Sequence, residues 1–119
     1  MEIFLGEGSD EFLERGKDLN EELIKNKTTT FFYRMKGDSM TGVGIHDRDL
    51  LIVDRALKAN SGKVIIAVFN GEVIVRRFLK NFNSTFLLPE NNNYKQNDLA
   101  ELSDFVVLGV VTYVIHQIH

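Results

Sequence analysis

The sequence predicts a mainly β domain of barrel type, with one short helix near its N-terminus. Two observations carry that prediction. Six runs are rich in β-branched and aromatic residues, while only one segment carries helix-start chemistry. Two of the apolar runs are joined by Asn70-Gly71, the strongest local signal for a two-residue hairpin turn.

The helix is predicted over 18–26, "DLNEELIKN". Asp18 stands as N-cap, and Glu21, three residues on, completes a capping box. Everything after it reads as β. "TTTFFYRM" (28–35) is the first strand, and "DLLIVD" (49–54) is a short apolar run held between charges. "KVIIAVF" (63–69) and "EVIVRRFL" (72–79) flank the Asn-Gly turn, and "STFLLPE" (84–90) is the next strand. The following "NNNYKQND" reads as a polar loop. "DFVVLGVVTYVIHQI" (104–118) is long enough for a buried helix, but its valines and isoleucines argue for a strand, with a bulge or bend at Gly109. Residues 1–15 read as a flexible arm and residues 16–119 as one domain.

The hairpin fixes a register. With a two-residue turn, Phe69 pairs with Glu72, Ile65 with Arg76 and Lys63 with Phe78. Alternation along a strand then puts Lys63 and Arg76 on one face as diagonal neighbours.

Composition removes several function classes. The chain has 119 residues, 44% apolar and 26% charged, enough for one modest core. A net charge of −3 offers no electrostatic grip on DNA or on an acidic membrane. No apolar run reaches the length of a membrane span, and the acidic N-terminus is not a secretory signal. Cysteine is absent, which excludes disulfides and thiolate metal sites and fits a cytoplasmic location.

Singly, the polar motifs read as structure. Ser39 in "KGDSMTG" is a turn residue whose hydroxyl suits local hydrogen bonds. A Ser-His-Asp triad drawing on His46 with Asp47 or Asp49 is conceivable, but "GIHDRD" reads as a loop entering a strand. His116 and His119 are too few for a metal site, so no metal and no cofactor is expected. The glycines at 37, 42 and 44 fit no phosphate-binding pattern, and "VRR" (75–77) reads as a solvated strand end.

In combination the motifs say more. "GDSMTGVGIHDRDLLIVDRAL", then "GKVIIAVFNGEVIVRRF", then "LLPENNNY" resembles the self-cleaving LexA/UmuD family of Ser-Lys peptidases, over about residues 16–115. The resemblance implies a LexA/signal-peptidase-like fold. "RGKDLNEELIKNKTTTFFYRMKGDSM" is most similar to the UmuD branch, and fewer residues precede the first strand than a helix-turn-helix domain needs.

In that family a serine hydroxyl attacks the peptide bond and a neutral lysine takes its proton, because a hydroxyl is a weak nucleophile until deprotonated. The resemblance places the serine at Ser39 and the base at the residue after "EVIV", which here is Arg76. Arginine stays protonated in proteins, so it can orient Ser39 but not activate it. Lys63, on the same predicted face, is a surrogate candidate. The Ser39 and Met40 backbone N–H groups are the candidate oxyanion donors. The family cuts at Ala-Gly or Cys-Gly, and neither pair occurs here.

The resemblance therefore implies the already activated form: a UmuD′-like homodimer serving a UmuC-type Y-family DNA polymerase in SOS mutagenesis. A RecA filament is a further candidate partner, and no direct DNA binding is expected. The rival readings are an active Ser-Lys peptidase, the dimerisation half of a LexA or phage-type repressor, and a β-barrel binding module without chemistry.

Overall fold

The computed structural model describes residues 16–98 and 104–119. The predicted N-terminal arm, residues 1–15, lies outside the described residues. The elements in chain order are α1 (Leu19–Leu23), β1 (Thr30–Arg34), a 3-10 turn (Thr41–Val43), β2 (Leu50–Asp54), β3 (Val64–Phe69), β4 (Glu72–Lys80), β5 (Thr85–Leu88), β6 (Asn97–Asp98) and β7 (Phe105–Ile115).

All seven strands form one antiparallel sheet in the order β1-β2-β7-β3-β4-β5-β6. The mainly β prediction therefore holds, as does, among the described residues, the single short helix. The helix is shorter than predicted. Asp18 caps it, its carboxylate accepting from the Asn20 N–H at 2.9 Å, and it stops at Leu23 with no buried residue to anchor it. A helix this short gains little from its own hydrogen bonds. Two elements went unread. The segment after Ser39 coils into a 3-10 turn, and the polar loop contains the two-residue β6 paired with Phe86 and Leu87.

The hairpin register is the predicted one: Phe69 pairs with Glu72 and Ile65 with Arg76. Asn70 and Gly71 both adopt positive φ, 50° and 85°, as a type I′ turn requires. Lys63 lies just outside β3, and its carbonyl accepts from the Phe78 N–H at 2.8 Å.

β7 is the central strand of the early half of the sheet, pairing with β2 on one side and β3 on the other. It carries two irregularities. Opposite β3 the register skips Leu108, and opposite β2 it skips Thr112. Gly109 stands beside the first. A Cβ there would come within 2.6 Å of the Val53 side chain and 3.1 Å of the Asp54 carbonyl, so only glycine lets β7 pass the end of β2.

The core falls into two clusters. One gathers Met35, Met40, Ile45, Leu51, Val53, Ile66 and Val75; the other gathers Ile65, Ala67, Phe78, Leu87 and Val110. Met40, next to Ser39, is fully buried in the first. The Ser39 loop is thus anchored from below by a core residue.

Candidate functional site

The Ser39 loop is held from the other side by the "LLPENNNY" segment. The Glu90 N–H donates to the Ser39 carbonyl at 2.9 Å, and the Gly42 N–H donates to the Glu90 carbonyl at 2.7 Å. Asn91 Nδ2 donates to the Asp38 carbonyl at 2.8 Å, and the Tyr94 hydroxyl donates to Asp38 Oδ1 at 2.6 Å. Two segments some fifty residues apart therefore fix one loop from both ends. Gly42 is required by this closure, because a Cβ would sit 2.6 Å from the Glu90 carbonyl oxygen.

Ser39 is 5% exposed. Its Oγ accepts a hydrogen bond from Arg76 Nη1 at 2.9 Å, and the same nitrogen donates to the Val75 carbonyl at 2.8 Å. The two residues share a small cleft of about 190 Å³ with Tyr33, Met35, Lys36 and Tyr94. The Arg76 guanidinium lies 5.9 Å from the centre of the Tyr94 ring, within cation–π range. Its Nε is buried and has no hydrogen-bond partner among the described residues.

Burial lowers the Arg76 pKa from its ordinary value. Tyr94 opposes that only when ionised. The Asp38 hydrogen bond and burial raise the Tyr94 pKa above 10.0, so at neutral pH Tyr94 offers a ring face and no charge. The site thus desolvates whatever cation occupies position 76, the physical condition for lowering a lysine pKa. The same desolvation leaves an arginine charged, because its starting value is too high.

The structure does not bring Lys63 to Ser39. Lys63 lines a different cleft, with Leu23, Asp54 and Tyr113. The conceivable Ser-His-Asp triad does not assemble either. His46 and Asp49 meet His116, whereas the side-chain partner of Ser39 is Arg76. Among the described residues no hydrogen bond is found at the Ser39 or Met40 backbone N–H. "VRR" is not a solvated strand end. Arg77 Nε contacts Glu90 Oε1 at 2.6 Å and its Nη1 donates to the Gly62 carbonyl at 2.6 Å, so both arginines brace the site.

Sequence reasoning missed the Asp38–Tyr94 and Asn91 clamp, because residues more than fifty positions apart leave no local signal. It also missed the pairing of His46 and Asp49 with His116, although the register of β2 with β7 contains it.

Ser39 and Arg76, the two positions named from the resemblance, are joined by a hydrogen bond. The Peptidase S24-like family model matches residues 4–112 of the chain. The chain belongs to that family. It is 36% identical over 107 residues to Protein ImpA of Escherichia coli, covering 90% of this chain and 72% of that protein. It is 40% identical over 107 residues to Protein SamA of Salmonella typhimurium, covering 90% of this chain and 74% of that protein. The LexA repressor of Clostridium kluyveri is 39% identical over a shorter 72 residues, 60% of this chain and 36% of the repressor. Among the described residues no helix is long and apolar enough to cross a membrane.

Proposed function

We propose that this S24-like chain is a binding subunit with a silenced peptidase site. It is a UmuD′-like homodimer that joins a UmuC-type Y-family DNA polymerase during SOS mutagenesis. The observation that carries the reading is the Arg76–Ser39 hydrogen bond: the nucleophile position is held by a permanent cation that cannot take its proton. Ser39 is the nucleophile position, Arg76 stands at the base position, and the Ser39 and Met40 amides are the oxyanion donors. With an arginine at the base position, the scaffold keeps the family's shape and loses the proton transfer, which alone contributes about 10²- to 10⁴-fold in such reactions.

The matches support the accessory role over a repressor half, since ImpA and SamA align over 107 residues and the LexA repressor over 72. A homodimer is supported by apolar side chains left exposed on β1 and the end of β7, namely Phe32, Tyr113, Val114 and Ile115. Co-purification with the cognate Y-family polymerase tests the function. A stable complex is expected. Failure to associate, under conditions where an established accessory–polymerase pair does, would remove the accessory role.

A further inference from the structure

A second constellation lies away from the Ser39 cleft, where the start of β2 meets the end of β7. The register pairs Leu50 with Ile115, so the next rung outward sets Asp49 against His116. There His116 Nδ1 and Asp49 Oδ1 lie 2.5 Å apart. The residues 46–49 close a tight turn with Arg48 at φ 73°; the Asp49 N–H donates to the His46 carbonyl at 3.1 Å and the His46 N–H donates to Asp49 Oδ2 at 2.8 Å. That turn sets His46 Nδ1 3.7 Å from Asp49 Oδ2. The two imidazole rings are 5.1 Å apart, centre to centre.

The potential donor atoms of His46, Asp49 and His116 all lie within 4.8 Å of one another. Tetrahedral zinc with donors at about 2.1 Å needs them about 3.4 Å apart. To reach that spacing the 2.5 Å His116–Asp49 contact must open and the His46 imidazole must close in; both adjustments fall on the imidazoles, which are 51% and 42% exposed, while the carboxylate is 2% exposed and held by the turn. Two imidazoles and one carboxylate are a donor set suited to zinc, with a fourth position left for water. The cations in the same cleft are already engaged: Arg34 donates to the Arg48 carbonyl at 3.0 Å, and Arg48 Nε lies 3.9 Å from Asp47 Oδ2.

We infer that His46, Asp49 and His116 form a zinc site that fastens the end of β7 to the loop entering β2. It is independent of the Ser39 cleft and of the polymerase reading. Neither histidine stands near the other in sequence, and only strand pairing joins them.

The test is calorimetric titration of tag-free, chelator-treated protein with zinc chloride, repeated with cobalt chloride to read coordination from its visible spectrum. Saturable binding at one zinc per chain is expected, with a tetrahedral-type cobalt spectrum and a higher Tm in zinc. His46→Ala and His116→Ala each weaken binding at least tenfold. Both side chains are exposed, and circular dichroism confirms that the variants fold. His119→Ala is the control, since His119 lines the same cleft outside the triad. It leaves the affinity within threefold. Absence of one-to-one binding, insensitivity to His46→Ala and His116→Ala, or equal loss in His119→Ala would each overturn the site.

Discussion

Replacing Arg76 by lysine is the most informative single change. An arginine acting as base at pH 8 must give up a proton whose ordinary pKa lies more than four units above that pH. That is about 4.5 units, or roughly 6 kcal/mol at 1.36 kcal/mol per unit. For an unperturbed arginine the neutral fraction at pH 8 is about 3 × 10⁻⁵. Burial at position 76 works in the needed direction, but an arginine keeps its proton in proteins. A lysine starts near 10.4, so reaching pH 8 takes about 2.4 units, or roughly 3 kcal/mol, within what buried lysines show. Half the molecules then carry a free base, a gain in base population of about 10⁴-fold. Arg76→Lys should therefore cut a peptide carrying an Ala-Gly or Cys-Gly bond, supplied in trans at pH 8 and followed by intact mass, at least 100-fold faster than the unaltered chain. Ser39→Ala added to Arg76→Lys should abolish the cut. If the unaltered chain cuts as fast as Arg76→Lys, arginine is not the disabling residue. If folded Arg76→Lys is silent, the cleft is not a peptidase scaffold lacking only its base.

Two further outcomes follow from the packing and the buried acids. Gly42→Ala drives a Cβ to 2.6 Å from the Glu90 carbonyl and should cost about 1–3 kcal/mol, seen as a lower Tm; an unchanged Tm would mean the serine loop is not clamped as described. Asp49 and Asp54 should set an acid limit to stability. Burial pushes the Asp49 pKa up, but the His46 N–H and the His116 contact outweigh it; for Asp54 the Thr29 hydroxyl and the Ala56 N–H pull the value down, so both end below 3.8. Groups with folded pKa values below the unfolded value stabilise fully above it and lose that contribution as pH falls through the folded value. The Tm should hold from pH 7 to about pH 5 and decline below about pH 4. Asp54→Asn should show a shallower acid decline, and a wild-type Tm unchanged at pH 3 would contradict this account.

The Asn70-Gly71 hairpin was legible because its turn type depends only on two adjacent backbone conformations. Its register then fixed the pairing of Ile65 with Arg76, which the structure bears out. The strands themselves were legible from period and residue type, which are local. Element ends were less so: α1 stops at Leu23, short of the predicted Asn26, because no apolar face docks it. β6 was missed because a two-residue polar strand owes its existence to its partner β5 and not to its own sequence.

The sequence alone determined the local geometry, the family and the identity of residue 76. An arginine in place of a lysine is a fact of covalent chemistry that no fold can undo. Only the tertiary structure decided where that arginine points, and it places Nη1 on Ser39 while leaving Lys63 in another cleft. Only the tertiary structure joined Asp38 to Tyr94 and Asp49 to His116, pairs separated by 56 and 67 positions. Local sequence sets what each short segment prefers. Contacts between distant segments depend on strand order and register across the whole sheet, a collective outcome that no single stretch of the chain encodes.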